Sequence, residues 1–183
     1  MNPLDIDAIN TYSPYPVWNK EDEYLFKTDN GIEYSVSFDE EDNFEYKSYW
    51  FNLTNISHEK SPGDVKIAKT VICIIEEFFS QNPDILLYLC STYGGQQAQR
   101  SRLFLRWFKG YEQQKKYTIK SAEVKGDDLM EYISMIVMNN HPKLSEISRY
   151  LLLRTEDLCH NPFGQRTPSS ETGILRPIYS RYP

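Results

Sequence analysis

Residues 64–90, DVKIAKTVICIIEEFFSQNPDILLYLC, change their hydrophobic period within one stretch. Val65, Ala68, Val71, Ile72, Ile75, Phe78 and Phe79 recur at spacings of three and four, the stripe of an amphipathic helix. Asp64 stands where such a helix takes its N-cap, and Gln81-Asn82-Pro83 ends it. ILLYLC (85–90) then runs apolar without alternation, as a strand covered on both faces does. A helix feeding a doubly covered strand requires a sheet with helices packed on it.

On the N-terminal side the period is two. EYLFKT (23–28), Asp29-Asn30-Gly31 and IEYSVSF (32–38) form a hairpin signal, because Asn-Gly supplies positive φ in a tight turn. DEEDN (39–43) is a second polar turn, and FEYKSYWFNLTN (44–55) reads as a third strand. Residues 1–22, with Pro3, Pro14 and Pro16, read as an extended lead-in after a short turn of helix at 4–10. On the C-terminal side a helix is expected at 95–109 and a strand at 116–124. YISMIVM (132–138) is read as the return strand of a hairpin through Gly126-Asp127-Asp128, the alternative being a helix begun at Asp127. Pro142 opens a last helix. The expected fold is one α+β domain over 23–158, with a mixed, mainly antiparallel sheet in the order β-β-β-α-β-α-β-β-α. Residues 159–183 have the Pro, Gly and Ser content of a tail.

The net charge of −6 divides unevenly: residues 1–90 carry −11 and residues 91–183 carry +5. Eight basic side chains fall within 100–125, against Glu112 and Glu123. Such an excess attracts a phosphorylated ligand or a nucleic acid, or pairs with the chain's own acidic half. Cys73, Cys90 and Cys159 have neither disulfide-framework nor zinc spacing. Without a signal-like or membrane-spanning apolar run, a cytoplasmic protein with no membrane partner is expected.

Two strand-to-helix turns are candidate ligand sites. Gly94-Gly95 follows the buried strand and precedes a helix, where backbone N–H groups suit an anion. Its bland alternative is a tight turn. Lys60-Ser61-Pro62-Gly63-Asp64-Val65 is the second, although an Asp cap occupies the orphan N–H groups and repels phosphate. Arg102 and Arg106 fall on the helix face opposite Leu103, Phe104, Trp107 and Phe108, as a solvated stripe would. Arg100 shares the apolar face and is the better candidate for a ligand or partner contact. His58, His141 and His160 show no metal spacing. Cys90 is either a nucleophile or a small buried apolar residue.

In element order and in two local patterns, residues 23–140 resemble the core of the GNAT superfamily of N-acetyltransferases. There a Gln/Arg-x-x-Gly-x-Gly/Ala loop opens the first helix and holds the coenzyme A pyrophosphate. Lys60, Gly63, Asp64 and Val65 occupy that loop here, with the glycine matching and the cation substituted. Arg100-Ser101-Arg102-Leu103-Phe104 echoes the family's second helix, but Phe104 replaces the tyrosine that protonates the leaving thiolate. The third strand offers no carboxylate beyond Glu45 as a base. The resemblance implies acyl-CoA between the third and fourth predicted strands, and an amine in an aromatic cleft lined by Tyr49 and Trp50. Residues 74–108 also resemble a family of small uncharacterised bacterial proteins, which implies no activity. Two functions are therefore expected: a non-catalytic module binding a protein or small ligand, nucleic acid less so, or an N-acyltransferase.

Overall fold

The computed structural model describes residues 1–42, 45–59, 63–90, 106–108, 115–125 and 130–149. Their strands form one seven-stranded sheet in the order β1-β2-β3-β4-β5-β7-β6. The elements are α1 (Ile6–Tyr12), β1 (Val17–Lys20), β2 (Glu23–Lys27), β3 (Glu33–Glu40) and β4 (Ser48–Asn55), then α2 (Val65–Gln81), β5 (Ile85–Cys90), β6 (Tyr117–Lys125) and β7 (Met130–Met138). Every pairing is antiparallel except β4 with β5. Residues 106–108 and 144–149 are also helical. The α+β class and the mixed, mainly antiparallel sheet follow the expectation from sequence.

The Asn-Gly hairpin forms as its residues dictate. Gly31 takes φ +81°, and Thr28 and Ile32 close the turn through their main chains at 2.9 Å. Residues 132–138 are strand, not helix: β7 pairs along its whole length with β6, from Tyr117↔Met138 to Lys125↔Met130. The short helix expected at 4–10 is α1, shifted to Ile6–Tyr12, and the extended part of the lead-in joins the sheet as the edge strand β1. Asp5 makes α1 possible by accepting from the N–H groups of Asp7 and Ala8, as an N-cap does.

Helix α2 lies on one face of the sheet and organises the larger core. Phe78, fully buried, stacks on Phe38 at 4.7 Å and meets Tyr49 edge-on at 5.6 Å. Phe79 packs against Tyr117 at 5.0 Å, so one helix bridges both halves of the sheet. The expected stripe needs one correction. Val65 is 69% exposed, whereas Ile67 and Ile74 are buried. Val65 sits at the first turn, beyond the sheet's cover, and the sheet is wide enough to bury more than one stripe of α2. The opposite face holds a smaller cluster of Ile85, Leu87, Met135, Val137 and Ile147. Ile85, Leu86 and Leu87 are thus covered from both sides, as their unbroken apolar run requires.

The C-terminal end of α2 is fastened to the start of the chain. Asn2 N–H donates to Asn82 Oδ1 at 2.7 Å, and Asn82 Nδ2 returns a bond to the Asn2 carbonyl at 3.1 Å. Asn82 is almost wholly buried, so this exchange satisfies an amide that would otherwise be costly.

Candidate functional site

The sheet divides where β4 leaves β5. The parallel register runs through Ser48↔Ile85, Tyr49↔Leu86 and Trp50↔Leu87, and stops there. Yet β4 continues to Asn55 on β3, and β5 continues to Cys90 on β7. Each strand stays with its antiparallel neighbour, and the two halves of the sheet part between them.

Main-chain directions follow from alternation. Glu41 N–H donates to the Ser48 carbonyl and Ile56 N–H to the Glu33 carbonyl, so even-numbered positions of β4 face β3. Ile85 N–H donates to the Lys47 carbonyl, so odd-numbered positions of β4 and β5 face each other. Leu53 and Leu89 therefore turn N–H and C=O into the interval, beyond the last β4–β5 rung. Sheet edges of this kind take an extended ligand carrying its own amides.

Side chains border the interval on both faces. Toward α2, the rings of Phe51 and Tyr88 meet at 5.7 Å. Away from α2, Asn52 Nδ2 donates to Asp39 Oδ2 at 2.7 Å and lies 3.4 Å from Ser37 Oγ. This places a carboxylate beside the first β4 positions without a β5 rung. Sequence reasoning missed Asp39 because it was assigned to a polar turn. The signal was available, since 33–40 keeps its period of two through that residue.

Because β4 and β5 are parallel, α2 between them must start at the end where the strands part. Asp64 caps it, accepting from Lys66 N–H at 2.8 Å. Its other oxygen accepts from the Tyr15 hydroxyl at 2.6 Å. Lys66 Nζ reaches Asp29 Oδ2 at 2.6 Å. That contact holds the Asp29 carboxyl below its ordinary range and raises the Lys66 ammonium. Burial, then the bond to Asp64, raises the Tyr15 phenol. A side chain built onto Gly63 would meet nothing within 4 Å, and its φ is not positive, so neither packing nor backbone strain demands glycine there.

Of the candidate residues, Gly63, Asp64 and Val65 stand together at this helix start. Lys60, Gly94, Gly95, Arg100 and Arg102 lie outside the described residues. Arg106 is exposed and precedes half-buried Trp107 and buried Phe108, in keeping with a solvated stripe. Tyr49 and Trp50 do not share a cleft wall, since consecutive strand residues point to opposite faces. Tyr49 is 1% exposed in the α2 core, and Trp50 packs on the smaller cluster while donating to Glu41 Oε2 at 2.5 Å. Among the described residues no helix is long and apolar enough to cross a membrane.

Among the described residues, fold and site define an α+β protein whose mixed sheet is split at its one parallel pair. Residues 63–151, from the start of α2 past β7, match a family described as a family of unknown function (DUF6169). Neither the curated proteins nor the solved structures gave a match.

Proposed function

We propose that the chain binds a ligand of the acyl-CoA class in the interval between β4 and β5, on a GNAT-like sheet, and that N-acyl transfer to an amine is the reaction this interval serves. The observation that carries the reading is the end of the parallel ladder at Trp50↔Leu87 while both strands run on. A pantetheine arm is linear and carries two amides, so it can complete rungs at Leu53 and Leu89. Each hydrogen bond restored there contributes about 0.5–1.5 kcal/mol. Acyl transfer between a bound thioester and an amine needs chiefly proximity and an acceptor for the ammonium proton. Asp39, held by Asn52, is the candidate for that acceptor.

The test is thermal unfolding with and without millimolar acetyl-CoA. Ligand at about 100 times its dissociation constant stabilises by about 2.7 kcal/mol, several degrees for a chain of this size. Leu53→Pro is the matched variant: it deletes an N–H that faces the interval and leaves the bonds to β3 in place. A shift in the parent that shrinks in Leu53→Pro, with the unliganded Tm retained, supports the reading; no shift in the parent sinks it.

A second reading, a non-catalytic binding or interaction protein on the same sheet, is favoured by Phe104 in place of an acid and by Asp64 at the helix start. Binding without thiol release across a panel of amines separates it from the enzyme.

A further inference from the structure

The sheet order begins at β1, so one side of that strand has no partner strand among the described residues. Thr28 N–H donates to the Ile32 carbonyl, so even-numbered positions of β2 face β3 and odd-numbered positions face β1. Leu25 pairs with Trp18, which turns the main chain of Trp18 and Lys20 toward β2 and that of Val17 and Asn19 outward. Neither group of Val17 is open, however. Asn10, on α1, donates its Nδ2 to the Val17 carbonyl at 2.9 Å and takes the Val17 N–H on Oδ1 at 2.7 Å. A carboxamide that exchanges both bonds with one residue reproduces the rung of an antiparallel strand. Upstream, the Tyr15 carbonyl accepts from Ser13 Oγ at 2.7 Å, and Pro14 and Pro16 have no N–H.

We infer that the outer edge of β1 is a pairing surface for a second copy of this chain, and that Asn10 holds it shut. Edges that present unpaired N–H and C=O groups recruit further strands, and native chains close them. This edge is self-complementary. In an antiparallel pair centred on Trp18, Val17 of each copy bonds Asn19 of the other, giving two rungs. Trp18, 39% exposed, then meets Trp18 of the second copy. Lys20, the charged residue of β1, lies opposite Pro16 of the second copy, so no like charges face each other. Both rungs need Val17, and Asn10 occupies Val17 in each copy. One short side chain therefore decides between a single chain and a sheet continued through two.

Light scattering of the full chain after gel filtration, from micromolar to millimolar concentration, tests this. The parent should keep the mass of one copy. Asn10 is exposed and alanine is the better helix former, so Asn10→Ala should stay folded. Its mass should climb toward two copies, with association at least about tenfold tighter than the parent's. Adding Asn19→Pro deletes an outward N–H while sparing the bonds to β2, and should return the mass to one copy. A folded Asn10→Ala with the mass of one copy throughout overturns the inference. So does a parent that pairs as tightly as Asn10→Ala, or a pair that survives Asn19→Pro. Amide exchange in the parent decides the matter should the variants unfold. The Val17 N–H should exchange at least about tenfold more slowly than the Asn19 N–H, and equal rates overturn the closure by Asn10.

Discussion

The hydroxyl of Tyr15 donates to Asp64 Oδ2 at 2.6 Å, tying the lead-in to the cap of α2 across 49 positions of sequence. The same hydroxyl accepts from Asp29 N–H at 3.4 Å, so three segments meet at one phenol. The lead-in is thereby part of the site's framework.

Tyr15→Phe keeps the buried ring, with its stacking on Phe26 at 6.2 Å, and deletes the bond to a carboxylate. A loss of about 1.5–3 kcal/mol is expected, the range for hydrogen bonds to charged groups. Urea unfolding of the parent and variant at neutral pH measures it. A difference below about 0.5 kcal/mol would show that water replaces the phenol at Asp64 without cost.

Alkaline pH should destabilise the fold through its tyrosines. Burial raises the phenols of Tyr15 and Tyr24, and burial with the Glu76 charge raises Tyr117 to about 12. A phenol whose folded pKa is raised contributes stability that is complete below its unfolded value near 10. That contribution is lost as pH climbs toward the folded value. The Tm should fall between pH 10 and 12, and Tyr117→Phe should flatten part of that fall. An identical slope in the variant would exclude Tyr117 as a source.

Cys73 should be a slow nucleophile. Burial and the neighbouring Glu76 charge raise its thiol to about 11. At pH 8 the thiolate fraction is then about two orders of magnitude below that of a free cysteine. Alkylation by iodoacetamide, mapped to Cys73 by mass spectrometry in folded and denatured protein, reads this directly. Equal rates in the two states would contradict it.

If Asp39 accepts the ammonium proton, Asp39→Asn should lower turnover about 100-fold, at the lower end of general-base effects. Thioester binding should stay within about threefold, because in this reading the carboxylate serves the amine and not the thioester. A loss confined to thioester affinity would instead make Asp39 a donor-site residue.

Hairpins and α2 were legible in the sequence because their signals are local. Asn30-Gly31 supplies the turn's backbone, and the short length of 132–138, with Pro142 opening the next helix, marks it as a return strand. The lead-in was less legible: β1 is four residues long and only Val17 is buried in it, too little for a period to register. Within the site, Asp64 was readable as a cap from its position before an apolar stripe. The separation of Tyr49 and Trp50 onto opposite faces was implicit in strand alternation. Nothing local to Leu53 or Leu89 announces that their ladder ends, because a parallel register depends on how two distant strands are each held by other neighbours.

The sequence by itself determined the Asn-Gly hairpin, α2, the doubly covered strand 85–87 and the identity of the helix cap, all set by periodicity and turn chemistry over a few residues. Tertiary structure alone decided that β4 and β5 part after Trp50 and Leu87. It also decided that Tyr15 and Lys66, through Asp64 and Asp29, close the corner beside that opening. Each strand follows its own antiparallel partner, and the geometry of two such partnerships is a property of the assembled sheet, not of any segment within it.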